Sequence, residues 1–175
     1  MDQGIKFRIM RAAADRREEI KQFVLSMMSS LYPKGSYYEN PHDLAFFEDV
    51  YVLPENACFF IAENKGEGII GTASVRPYDR RFPEIESVIG TGMVCEVAKF
   101  YIHPDYRRKG VGSRLYRKAE QFAREAGYQE SYLHTSIYLP GGYPFWQSRG
   151  YAERYWESDQ VVHMSKSWRE TRDQA

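Results

Sequence analysis

Apolar and polar positions change period several times along this chain, and each change predicts an element. Residues 5–11 alternate apolar with polar, the two-residue repeat of a strand with one buried face. After three alanines, Asp15 and Glu18 have the spacing of a helix N-cap and its reciprocal partner. Ile20, Phe23, Val24, Met27, Met28 and Leu31 then recur every three or four residues, predicting a helix packed by one face and stopped by Pro33 and Gly35. Residues 34–54 are aromatic and acidic, with a short helix predicted over 41–51. Two β-rich runs, 58–63 and 68–76, flank Asn64, Lys65, Gly66 and Glu67 and predict a hairpin.

Residues 77–92 carry Pro77, Asp79, Arg80, Arg81, Pro83, Gly90 and Gly92, and read as a long charged loop. Residues 93–102 form a long strand candidate, ended by His103, Pro104 and Asp105. A helix follows whose inner stripe is Val111, Leu115, Ala119, Phe122 and Ala126, with Gly127 as its stop. Residues 130–135 read as a strand, 143–149 as a short helix, and 151–165 as one or two closing strands. The order β-α-α-β-β-β-α-β-α-β predicts a mixed α/β fold with a strand-turn-helix at its centre.

Composition narrows the picture. A chain of 175 residues with 43% hydrophobic positions is long enough for a single core, so one domain over 1–175 is expected, with a frayed tail at 169–175. Lys and Arg number 24 against 24 Asp and Glu, so no global field draws the chain to nucleic acid or membrane, and any polyanion must be held locally. Cys58 and Cys95 each sit in an apolar run without zinc or redox spacing, which reads as buried free thiols in a reducing, cytoplasmic compartment. No apolar window approaches a membrane span and no signal-like start is present, so neither membrane insertion nor secretion is expected.

The candidate chemistry lies between the central strand and its helix. Arg107, Arg108 and Lys109 precede Gly110, Val111, Gly112 and Ser113 where a first helical turn leaves amides unpaired. Glycines admit phosphate oxygens to those amides, the helix dipole favours the negative charge, and the cations neutralise it. The competing reading is a glycine-containing turn with a solvated basic rim. A dinucleotide fingerprint needs glycine at position 115, where Leu115 stands, and no glycine lies in P-loop spacing to Lys-Ser or Lys-Thr.

The run from Glu96 to Gly112 resembles the central motif of the GNAT superfamily of acyl-CoA N-acyltransferases. That signature has Gln or Arg, then Gly three residues on, then Gly or Ala two further, after a strand; Arg107, Gly110 and Gly112 fill it. The element order and a late Gly150-Tyr151 pair resemble the family over nearly the whole chain. The resemblance implies a mixed, mostly antiparallel central sheet flanked by helices and splayed at an acyl-CoA site. It implies that Arg107, Arg108, Lys109, Gly110, Val111, Gly112 and Ser113 bind the pyrophosphate of acetyl-CoA, the cosubstrate, and that Phe100, Tyr101 and Ile102 pair with its pantetheine arm. No metal is implied, and His103 and His134 are not grouped as ligands.

Transfer of an acetyl group to an amine needs a base and, for the thiolate, stabilisation or an acid. Glu96 is the base candidate, since several family members keep a glutamate there and burial would raise its pKa; the competing reading is a glutamate paired with Arg or Lys. The family's usual acid, a tyrosine four residues before the late glycine, is replaced by Trp146. Tyr143 is the preferred substitute, with Tyr138 nearby and direct thiolate departure the other options. Strand alternation sends Cys95 to the opposite face from Glu96, and His42 reads first as part of a helix start.

The expected function is N-acetyl transfer to a primary amine of a small molecule or peptide, in a possible homodimer. The alternatives are a non-catalytic acyl-CoA-binding or sensing module, motivated by Trp146, and a basic helix face (Arg107 to Lys109 with Arg114, Arg117 and Lys118) that binds nucleic acid or protein, weakened by zero net charge.

Overall fold

A computed structural model describes residues 4–137 and 139–168, so Tyr138 and the tail 169–175 lie outside the described residues. Its seven strands form one sheet in the order β1-β2-β3-β4-β5-β7-β6. The elements follow the predicted order: β1 (Arg8–Arg11), α1 (Arg17–Leu31), α2 (His42–Ala45), β2 (Cys58–Asn64), β3 (Gly68–Pro77), β4 (Val94–Ile102), α3 (Val111–Glu125), β5 (Glu130–Ser136), α4 (Gly142–Ser148), β6 (Ala152–Trp156) and β7 (Val161–Ser167). The chain gathers into two compact units, one of residues up to Arg76 with Val97–Phe122, the other of Pro77–Glu96 with the chain from Ala123 onward.

In the first unit, β1 pairs antiparallel with β2, and β2 with β3 in the expected hairpin. Ile20, Val24 and Met28 of α1 bury their stripe against Leu44, Phe47, Tyr51, Phe59 and Ile61. Two local expectations fail. Asp15 does not cap α1: a 3-10 turn over Ala14–Arg16 leads directly into the helix, and the capping position is Arg16, without a side-chain cap. A capping side chain needs extended backbone ahead of the helix, and here the chain is already turned. The helix expected over 41–51 is only α2 followed by a wider π turn at Glu48–Val52, which brings Phe47 and Tyr51 onto Phe59 with centroids 5.3 and 5.2 Å away.

β4 carries a left-handed residue, Lys99 at φ +49°, where a non-glycine side chain is strained. The hydroxyls of β3 accommodate it: Thr72 Oγ1 donates to the Lys99 carbonyl at 2.6 Å and Ser74 Oγ to the Ala98 carbonyl at 2.8 Å. This explains two polar side chains with no exposed surface in an otherwise apolar strand. The Lys99 ammonium lies 3.2 Å from buried Asp43, whose Oδ2 also accepts from Tyr51 at 2.6 Å, with Arg76 at 4.0 Å. Gly71 fits β3 closely to its surroundings: an added Cβ would stand 2.8 Å from Leu115, 3.0 Å from Ile102 and 3.2 Å from the Tyr101 carbonyl.

In the second unit, the long charged loop has a core of its own. Tyr78, Ile85 and Ile89 pack with Val94 and Tyr132. Arg80 binds Glu86 at 3.0 Å and the Gly90 carbonyl at 2.6 Å, while the Gly90 amide donates to Glu130 at 2.8 Å. β5 pairs in parallel with β4 only over Val94–Glu96 and Glu130–Tyr132, and antiparallel with β7 along its whole length. β6 closes the edge against β7. Both cysteines are buried and free; burial pushes the Cys58 thiol up to about 11 and the Cys95 thiol up to about 12.

Burial alone would raise Asp43, but Lys99, the Tyr51 hydrogen bond and Arg76 together outweigh it and hold the carboxyl below its ordinary value. The arrangement therefore adds stability above the ordinary carboxylate range and loses it as pH falls through the lowered folded value. Lys99→Met should cost about 2 kcal/mol at pH 7. The difference from wild type should shrink as pH falls through the ordinary carboxylate range, where Asp43 of the variant is protonated first, and should vanish only below the lowered value at which the wild-type carboxyl is neutral too. Urea unfolding of both proteins at pH 7 and pH 3.5 checks this.

Candidate active site

Between β4 and α3, a 3-10 turn over Pro104–Tyr106 is capped by His103, whose Nδ1 accepts from the Asp105 amide at 3.2 Å. Its imidazole has a local structural task. Arg108 and Gly110 then take left-handed backbone, φ +59° and +84°, and reverse the chain into the helix. Gly110 is thus required by conformation, with no atom within 4 Å of an added Cβ. Gly112 is different: an added Cβ would meet only Ile102 and Phe100 at 3.6 Å or more, ordinary contact, so the fold itself would admit alanine. A glycine that packing does not require suits a backbone that something else approaches closely.

The first helical hydrogen bond runs from Arg114 N to Gly110 O at 3.1 Å, so the amides of Val111, Gly112 and Ser113 precede it in the first turn. Val111 is buried and anchors this turn in the core. Arg108 and Lys109 are exposed at the rim, while Arg107 Nε is tied back to the Ile102 carbonyl at 3.2 Å. Phe100, Tyr101 and Ile102 are half-buried at the end of β4, and burial, with Tyr32 beside it, raises the Tyr101 hydroxyl above its ordinary value. Arg114, assigned to the basic-face alternative, lies over the Phe7 ring at 4.2 Å.

Glu96, in the second unit, is almost fully buried, as a raised-pKa base would require, yet it is not alone. Arg81 from the folded loop grips it with both nitrogens, Nη1 to Oε1 at 3.2 Å and Nη2 to Oε2 at 2.5 Å. Burial works against the Arg81 charge, but Glu96 and Asp79 outweigh that and raise its pKa. This is the paired arrangement that competed with the base reading, so Glu96 is a buried anion held in a fork.

Register places more groups on the face of Glu96. Its cross-strand partner on β5 is Tyr132, two residues on is His134, and the partner of His134 on β7 is His163. Phe82 stands by this row, its ring 4.9 Å from His163 and 5.7 Å from His134, with Arg81 stacked on it at 4.6 Å. Cys95 takes the other face, as alternation requires. Among the described residues, no group of three or more His, Cys, Asp or Glu could hold a metal ion.

The acetyltransferase (GNAT) family model matches residues 18–151. The chain belongs to the GNAT family. Aminoglycoside N(6')-acetyltransferase type 1 of Klebsiella aerogenes is 31% identical over 114 residues, 65% of this chain and 70% of that protein. N-acetyltransferase family 8 member 3 of Mus musculus is 23% identical over 135 residues, 73% of this chain; the chain spans 56% of that relative's length. A GNAT-family acetyltransferase of Staphylococcus aureus Mu50 superposes with TM-score 0.75 at 18% identity, covering 94% of this chain and 100% of that one. PaiA N-acetyltransferase of Thermoplasma acidophilum, solved with coenzyme A, gives TM-score 0.65 at 18% identity, covering 94% and 100%. These two likenesses establish the fold, and no helix among the described residues is long and apolar enough to cross a membrane.

The candidate acid and the tryptophan near it lie on α4. Trp146 is buried between Phe145 and Tyr151, with centroids at 5.0 and 5.4 Å, and fills core. Tyr143 is half-buried in the first turn of α4, its hydroxyl accepting from Gln147 Nε2 at 3.2 Å and its ring 6.0 Å from Trp156. Arg81, Tyr132 and His163 were missed in the sequence. Only the partners that register and the loop's own core supply mark them, although the period-two spacing of Tyr132 and His134 is a signal for two of the groups.

The fork is asymmetric. Arg81→Met leaves a buried carboxylate without its counter-ion and should cost about 3 kcal/mol, whereas Glu96→Gln leaves a half-exposed guanidinium and should cost less. The double variant should be more stable than Arg81→Met alone, as a double-mutant cycle by urea unfolding checks.

Proposed function

We propose that this GNAT protein moves an acetyl group from acetyl-CoA directly to a primary amine of a small molecule or peptide. The observation that carries the reading is the glycine turn at the N-terminus of α3. Gly110 is fixed by its left-handed backbone, Gly112 is unexplained by packing, and Arg108 and Lys109 rim the turn beside Arg107. Phosphates fit such a turn, because amides, helix dipole and cations act on one anion. Residues 107–113 would hold the pyrophosphate, and Phe100, Tyr101 and Ile102 at the end of β4 would pair with the amides of the pantetheine arm. The short β4–β5 ladder, three residue pairs long, supports a sheet that opens after Glu96. When bound, acetyl-CoA supplies an activated acyl group; the chain's task is to position it and to manage protons.

Glu96, kept anionic by Arg81, draws a cationic amine and takes part in its deprotonation directly or through water. Tyr143 is the hydroxyl proposed to protonate the departing thiolate. The acceptors named for relatives, aminoglycosides among them, support an amine and do not choose one. A homodimer and a cytoplasmic setting belong to the same proposal. The buried Trp146 in place of a tyrosine favours, as the second reading, a module that binds acyl-CoA without transferring it.

Calorimetric titration with acetyl-CoA and dephospho-CoA tests the reading, beside a variant with Gly110→Asp and Gly112→Asp. The wild type should bind both ligands and the variant should lose both, while circular dichroism shows it folded. Thiol release from acetyl-CoA with a panel of amines (spermidine, kanamycin, a free N-terminal peptide) should then give turnover that Glu96→Gln lowers by about tenfold or more. Absence of wild-type binding overturns the acetyltransferase reading; binding without turnover on any amine favours the second.

A further inference from the structure

Four side chains of the second unit form a string. Glu157 Oε2 lies 3.2 Å from His163 Nε2, His163 Nδ1 lies 2.7 Å from the Tyr132 hydroxyl, and that hydroxyl lies 3.4 Å from His134 Nδ1. Glu157 and His134 are exposed at the two ends, while Tyr132 and His163 are buried between them. The polarity of the string follows from donor chemistry. An ionised carboxylate only accepts, so His163 Nε2 carries the hydrogen and, in the neutral ring, Nδ1 carries the lone pair. Tyr132 must then donate to His163, which leaves its oxygen to accept from Nδ1–H of His134. The remaining lone pair of neutral His134 is on Nε2, at the exposed end of the row that begins at Glu96.

Glu96 can begin the deprotonation of the amine, directly or through water, but is poorly suited to keep the proton. Protonation would take from Arg81 the buried one of its two carboxylate partners and leave it only the exposed Asp79, a costly state. We propose that His134 is the group on which the acceptor's proton comes to rest, at Nε2, and that Tyr132, His163 and Glu157 are positioning residues that fix the tautomer it needs. This deepens the acetyltransferase reading and rests on it. In the step, an N–H bond of the ammonium breaks, its electron pair stays on the amine nitrogen as the nucleophile, and the proton bonds to His134 Nε2. The imidazolium keeps its Nδ1–H on Tyr132 and later gives the new proton to water.

The groups facing His134 are Tyr132 on its own strand, Glu96 on β4, Arg81 and Phe82 from the loop, His163 on β7 and Glu157 after β6. Although one edge of the residue is exposed, desolvation of the ring packed among Tyr132, Phe82 and His163 lowers its pKa below the ordinary 6.5, with Arg81 and His163 adding to this and Glu96 and Glu157 opposing it. It is therefore neutral, and ready to accept, at pH 7 and above. Burial, then Glu96, raises the Tyr132 hydroxyl, so Tyr132 stays a neutral link rather than an anion.

Two measurements decide the matter. Long-range proton–nitrogen spectra of the 15N-labelled protein at pH 7.5, which need no substrate, should show His163 as the Nε2–H tautomer and His134 as the Nδ1–H tautomer. His163 found as Nδ1–H reverses the string and overturns the proposal. In the thiol-release assay with acetyl-CoA and the amine panel, His134→Gln should lower kcat by about a hundredfold, leave KM for acetyl-CoA unchanged and remove the acidic limb of the kcat/KM profile. Tyr132→Phe keeps His134 but frees its tautomer, and should lower kcat by several-fold while His134 shifts toward Nε2–H in the same spectra. Full activity in His134→Gln overturns the assignment, whereas a wild type that binds no acetyl-CoA overturns the acetyltransferase reading and leaves the spectra to judge the string alone.

Discussion

A buried carboxylate cannot stand as an anion without its partner at hand, and in this chain that rule organises both units. Glu96 has almost no exposed surface, so the second unit must deliver a guanidinium to it. The loop over 77–92 does this by folding on its own small core of Tyr78, Ile85 and Ile89 against Val94 and Tyr132. Arg80 and Gly90 fasten its other side, the latter through Glu130, whose oxygen occupies the space a Cβ on Gly90 would take, 2.4 Å away. What looks like a polar excursion is the support that aims one arginine.

The same rule works in the first unit with different parts. Asp43 is buried beside Tyr51 and is balanced by Lys99, and Lys99 is the residue that leaves regular strand geometry. The irregularity would orphan two β4 carbonyls, and Thr72 and Ser74 take them. Buried polar residues of β3, Asp43 before the π turn and the strained residue of β4 are thus one construction. Strain of this kind persists only where neighbours fix it, and here four side chains do so.

Both constructions meet β4, the strand that feeds the glycine turn. Its first residues pair with β5 and carry Glu96, its later residues include the left-handed Lys99, and its end leads through a capped 3-10 turn into α3. A fixed strand end matters for anion binding, because amides at a helix N-terminus select a ligand only when their direction is set. The aromatic and imidazole groups on the Glu96 face are fixed in turn by Phe82 and by register with β7.

The elements were legible in the sequence because period and punctuation are local. The 3.6-residue stripe of α3, the hairpin at residues 64–67 and the glycine turn at 110–112 depend on neighbours a few positions away. The cap of α1 and the helix over 41–51 were misread, since a 3-10 entry and a π turn arise from how Arg16 and Tyr51 meet distant partners, Glu63 and Ser74. The family motif carried the glycine-turn residues and drew attention to Glu96. Tertiary structure alone decided what surrounds Glu96: Arg81 comes from fifteen residues away through a folded loop, and His163 from thirty-one residues beyond Tyr132 across the sheet. Ion pairs and cross-strand contacts of that range leave no periodic trace, because they are set by register and loop packing rather than by spacing along the chain.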